Sequence, residues 1–185
     1  MLASVSAATL KLLFFRAGPE DFPYDPGRSL LLGCIAFAVL SNAALLSFLL
    51  PPAAALAGAA VNTAFLALFT RFSLATRKLD NRFQQTFNAL LATTAVLTLF
   101  MLPFFAKIAP VLAQIAEMVQ KDPSLANKPE MLPTPPSSAM SALMLLGIWQ
   151  IVVICRIFML AAGVWTMLVF VGILFLMVGL QLGAA

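Results

Sequence analysis

The sequence predicts an all-α protein: a polytopic membrane helix bundle of five transmembrane helices, with an N-terminal interfacial helix and an amphipathic helix in the third-to-fourth loop. Three observations predict it. Charged residues make up 10% of the 185 positions and hydrophobic ones 62%, with a mean hydropathy of +1.02; soluble domains carry about 25% charged residues. The apolar residues fall in long runs, and about 20 of them in a helix cross a hydrocarbon core of about 30 Å. The cations sit at the edges of those runs, where they orient a membrane protein, and form no patch of the kind that binds nucleic acid. The whole chain, 1–185, reads as one membrane domain.

The elements follow in chain order. Leu2, Val5, Leu10, Leu12, Leu13, Phe14 and Phe15 make a segment too short to cross, expected to lie in the interface. Its charges, Lys11 and Arg16, follow the apolar residues instead of preceding them, so a retained helix is expected here and not a cleaved signal. Pro19, Pro23 and Pro26 then break the helix, and residues 1–28 read as a cytoplasmic or interfacial segment. Asp25 before Pro26 is an N-cap acceptor followed by a residue preset for a first turn.

Spans are expected at about 29–50, 52–72, 83–105, 139–159 and 162–183. The Pro51–Pro52 turn is so short that the first two spans must be antiparallel neighbours. Ala53, Ala54, Ala57, Gly58, Ala60 and Ala64 allow close helix approach, which predicts that the second span is the central one. Asn81 with Gln84 suggests a cap for the third span. Pro103 is expected to kink or end that span. Beyond it, Ile108, Val111, Leu112, Ile115, Met118 and Val119 fall on one helical face, with Lys107, Gln114, Glu117 and Lys121 on the other. This predicts an amphipathic helix along the membrane surface, followed by a proline-rich loop, together an external segment 106–138. Ser137 or Ser138 caps the last apolar region, long enough for two crossings. Arg156 and Gly163 are the candidates to mark the turn between them.

Charge sets the expected orientation. Lys11, Arg16 and Arg28 precede the first span; Arg71, Arg77, Lys78 and Arg82 lie between the second and third. With both regions cytoplasmic, the N-terminus is inside and the C-terminus outside. Arg156, the single charged residue after position 138, then falls near a cytoplasmic turn and reaches the headgroups. The rival reading keeps it buried against a carboxylate or carbonyls. Inside the spans, Asn42 and Asn62 lie at similar depth in the first hairpin and, with Asn88 and Gln150, form a candidate interhelical polar clamp. Trp149 and Trp165 read as packing or interface residues.

Catalytic chemistry has few carriers. There is no histidine, the commonest general base and metal ligand. The carboxylates all lie outside the spans, and no motif for phosphate, nucleotide, zinc or nucleophilic chemistry occurs. Cys34 and Cys155 lie in apolar segments and make no disulfide framework. No enzyme activity and no cofactor are expected.

Three segments, "GPEDFPYDP", "RFQQTFNALLATTAVLTLFMLPF" and "IWQIVVICRIFMLAA", carry a resemblance. Together they resemble a group of small bacterial inner-membrane proteins with an "RPQDLP"-like segment, an "RFxQTxxALxGT"-like helix and a tryptophan before a basic end of the fourth helix. The layout is similar to that of Yip1-type five-span proteins. Gly18, Ala92 and Cys155 depart from the group's pattern, which has arginine, glycine and histidine there. The resemblance implies an inner-membrane location and a role in organising or assembling membrane partners. The expected partners are the lipid bilayer, other membrane proteins or a second copy. The alternative expectation is a small oligomeric transporter or channel for a polar solute, lined by Asn42, Asn62, Asn88 and Gln150.

Overall fold

A computed structural model describes residues 2–25, 28–123, 125 and 129–163. The expected fifth span, 162–183, Trp165 and the C-terminal end lie almost wholly outside the described residues. Among the described residues five α-helices follow one another: α1 (Leu2–Leu13), α2 (Ser29–Leu46), α3 (Pro52–Ala75), α4 (Phe83–Lys121) and α5 (Ser137–Ala162). Single 3-10 turns occupy Pro19–Asp21, Asp80–Arg82 and Pro129–Met131. Four of the helices, α2 to α5, are long and apolar enough to cross a membrane.

Local chemistry sets the helix ends. Asp25 does cap α2, but from four residues before it. Its Oδ2 accepts the Ser29 hydroxyl at 2.5 Å and the Leu30 N–H at 3.1 Å, across an Arg28 in the left-handed region. Two proline positions open α3, Pro51 outside and Pro52 inside, where the absent N–H is no loss. Gly163, not Arg156, stops α5. Its φ of +93° suits glycine, and its N–H closes on the Met159 carbonyl at 3.1 Å.

α4 overturns two expectations. It runs 39 residues through both Pro103 and Pro110, about 58 Å at 1.5 Å per residue. The helix does not end at Pro103, and the amphipathic turns are a continuation of it, longer together than a hydrocarbon core of about 30 Å. Each proline removes one N–H and frees one carbonyl, and helix neighbours in a bundle tolerate that loss. The amphipathic pattern itself is present: Ile108 is buried, while Lys107, Gln114, Glu117 and Lys121 are exposed. Lys121 Nζ reaches Glu117 Oε1 at 2.6 Å on that outer face.

α4 is also the central helix, in place of α3. Half of its most apolar stretch is buried, against about a quarter in α2, α3 and α5. α2 and α5 both pack along α4, and α3 packs chiefly on α2. The small residues of α3 explain the error. In its first half Ala55, Ala59 and Thr63 turn inward, while Ala53, Ala57, Ala60 and Ala64 face out. The main core joins Leu12 and Leu13 of α1, Cys34 and Ala38 of α2, Leu90 and Leu91 of α4, and Val153 and Phe158 of α5. Phe69 of α3 meets Phe158 edge-on at 5.3 Å.

One end of the bundle gathers the loop before α2, the turn before α4 and the end of α5. Leu74, Ala161, Ala162 and Phe83 pack together there. Gln84 and Gln85, in the first turn of α4, hold the loop before α2.

Candidate functional site: a clamp on the N-terminal segment

α1 is apolar on a single face. Val5, Ala8, Thr9, Leu12 and Leu13 recur at helical spacing; of these, Ala8, Thr9, Leu12 and Leu13 are buried. The helix packs on α4, so it is seated in the bundle as well as at its rim. It ends in a Schellman motif: the Arg16 N–H bonds the Lys11 carbonyl at 2.7 Å and the Phe15 N–H bonds Leu12 at 3.1 Å. The left-handed position of this motif belongs to Phe15, with φ of +60°. Glycine is usual there, and an L-residue costs about 1–2 kcal/mol. Lys78 holds the same position after α3, with φ of +59°.

What stabilises Phe15 in that conformation is α5. Arg156 Nη2 donates to the Phe15 carbonyl at 3.0 Å, and its guanidinium carbon lies 5.3 Å from the centre of the Phe15 ring. Trp149, two turns earlier on α5, also meets the Phe15 ring, with ring centres 5.5 Å apart. Arg156 is therefore partly buried against a backbone carbonyl of the N-terminal segment. The guanidinium suits this place because it is planar, stacks on a ring and keeps its charge. Its Nε is buried and has no partner among the described residues.

The rest of the segment is held from α4. Gln84 Nε2 donates to the Asp25 carbonyl at 2.6 Å, so Gln84 is not a helix cap. Gln85 Nε2 donates to the carbonyls of Phe22 at 3.2 Å and Glu20 at 3.4 Å. Asp21 closes its own turn by accepting the Gly18 N–H at 2.9 Å. Phe22, 1% exposed, is driven into the main core. The three segments singled out in the sequence thus meet at one place. Four backbone carbonyls of residues 15–25 face donors from α4 and α5.

The polar clamp expected inside the spans has a different geometry. Asn42 Nδ2 donates to Ala38 on its own helix at 3.0 Å. Asn62 is exposed on α3 and Gln150 is half-buried on α5. Among the described residues no hydrogen bond joins any two of the four. Several hydroxyls bond their own helices: Ser41 to Ala38, Thr63 to Ala59, Thr70 to Leu66 and Thr93 to Ala89. Asn88 is 0% exposed, and neither amide atom has a partner among the described residues. A buried polar group left unpaired costs about 1–3 kcal/mol. Asn88→Leu is therefore expected to raise the melting temperature in detergent. A lower one would show that the amide is bonded in the folded protein.

Arg71, Arg77, Lys78 and Arg82 are all exposed around the end of α3 and the turn before α4. Among the described residues no three acidic or cysteine side chains converge as metal ligands would. Arg156 was noticed in the sequence for its charge and Trp149 for its aromatic ring. Phe15 and Gln85 carried no signal beyond lying in or beside the three segments. Models of known protein families, curated proteins and solved structures were all compared with the chain, and none matches it.

Proposed function

We propose that the chain is a non-catalytic integral inner-membrane protein that organises or assembles membrane partners, a second copy included. In this reading it has five spans, the N-terminus in the cytoplasm and the C-terminus outside, as in Yip1-type proteins. The observation that carries it is the uncovered surface of α3. Ala53, Ala57, Ala60 and Ala64 stand exposed at three- and four-residue intervals on one side, the spacing that lets helices approach closely in lipid. On another side of the same helix the Asn62 amide, near mid-span, is also exposed. An amide facing hydrocarbon gains from any partner that bonds it. The exposed cations near the α3–α4 turn support the orientation, because arginine and lysine accumulate on the cytoplasmic side.

Association of the full-length protein in lipid vesicles, counted by single-molecule photobleaching, tests the reading. An interhelical amide bond in lipid is worth about 0.6–2 kcal/mol. Asn62→Leu should therefore weaken association through the Asn62 side by about 3- to 30-fold, and Ala57→Leu, which fills the small-residue stripe, should weaken association through the alanine side. Association unchanged by both substitutions, together with dose-dependent movement of a solute across the vesicle membrane, would reject it in favour of a transporter.

A further inference from the structure

A cavity of about 690 Å³ opens between α1, α2 and α4. Its size falls within the roughly 300–1,000 Å³ of small-ligand sites. We infer that it is a binding site for an acyl chain of an anionic membrane lipid. The inference uses the membrane placement of the helices and is independent of the assembly surface on α3.

The lining sets the chemistry of the occupant. Three hydroxyls face the cavity, from Ser6, Thr9 and Ser29. Each is already a donor elsewhere: Ser6 to the Ala3 carbonyl at 3.1 Å, Thr9 to Val5 at 2.8 Å, Ser29 to Asp25. The remaining wall is aliphatic and aromatic apart from the Cys34 thiol. A polar solute would lose its water there and gain few bonds in return. A hydrocarbon chain gains contact along the whole wall.

Position favours a lipid over a free apolar molecule. The wall extends from Ser29 to Phe37 on α2, about 12 Å at 1.5 Å per residue, and to Ala92 and Val96 on α4. These lengths belong to helices able to cross a membrane, so the opening faces acyl chains. Cations adjoin the wall in sequence: Lys11 follows Leu10, and Arg28 precedes Ser29. Both are exposed. A lipid phosphate beside either of them would meet positive charge.

Gly33 provides the test. A Cβ at this position would meet nothing within 4 Å, and the same holds for Gly147 on α5, away from the cavity. The full-length protein in detergent is titrated with phosphatidylglycerol or phosphatidylcholine and read by native mass spectrometry. Wild type should retain one phosphatidylglycerol, and Gly33→Leu should bind it at least 10-fold more weakly, while Gly147→Leu binds as wild type. Lys11→Gln with Arg28→Asn should bring the two lipids to equal retention. A second readout keeps position 33 native: in Cys155→Ala protein, phosphatidylglycerol should slow alkylation of Cys34 by a lipid-soluble maleimide. The inference is overturned if wild type retains no more lipid than Gly33→Leu, as when another part of the chain fills the cavity. Equal retention of the two lipids by wild type overturns the anionic preference, and a Cys34 rate indifferent to lipid overturns the site.

Discussion

Arg156→Leu is expected to release the N-terminal segment from the bundle and to lower stability by about 2–4 kcal/mol. The substitution removes the bond from Nη2 to the Phe15 carbonyl and the contact with the Phe15 ring. A hydrogen bond to a charged group is worth about 1.5–3 kcal/mol, and a partly desolvated cation–π contact about 0.5–2 kcal/mol. The two share one side chain and do not add fully. Phe15 is then left in the left-handed region with less to hold it there. Hydrogen exchange should rise across residues 10–22 while the core of α4 stays protected. Arg156→Lys should fall between the two, because a lysine keeps the charge but not the planar fork. Were Arg156 only an orienting charge, Arg156→Lys would be silent and Arg156→Leu would leave exchange in this segment unchanged.

Phe22→Ala is expected to cost about 3–5 kcal/mol, the range for deleting a buried aromatic ring. Phe22 lies in a loop, yet it is 1% exposed and belongs to the main core. Its backbone is fixed by Gln85, so the loop cannot easily collapse into the space the ring leaves. Phe22→Leu, which fills most of that space, should recover more than half of the loss. Thermal melting in detergent reads both variants. An alanine variant as stable as wild type would mean that the segment is not packed into the bundle.

The long apolar helices α2 to α5 were legible because long apolar runs favour a helix bonded to itself. The starts of α2, α3 and α4 fall where the sequence placed them, and that of α5 within two residues. The uninterrupted course of α4 was not legible. Pro103 and Pro110 are strong local breakers, and only neighbouring helices decide whether the break is tolerated. The central helix was misjudged for a related reason. Small residues mark a close approach but not its side, and most of those on α3 face away from the bundle.

Of the clamp, its members Arg156 and Trp149 stood out in the sequence, but their partner did not. Phe15 is 141 positions from Arg156, and the acceptor is a backbone carbonyl, a group every residue carries. Gln84 had a plausible local role as a cap and spends its amide 59 positions away. The asparagines misled in the opposite sense. Similar distances from the Pro51–Pro52 turn do not make side chains face, because facing requires rotation about the helix axis, which distance along the chain does not set.

The convergence of the three segments is tested most directly by a photo-crosslinking residue, benzoylphenylalanine, in place of Phe15 in the full-length protein in intact membranes. The Phe15 and Trp149 ring centres lie 5.5 Å apart, so the crosslinked peptide should map to residues 149–156 of the same chain. Crosslinks to lipid alone, or to a different helix, would contradict the contact of the Phe15 turn with α5.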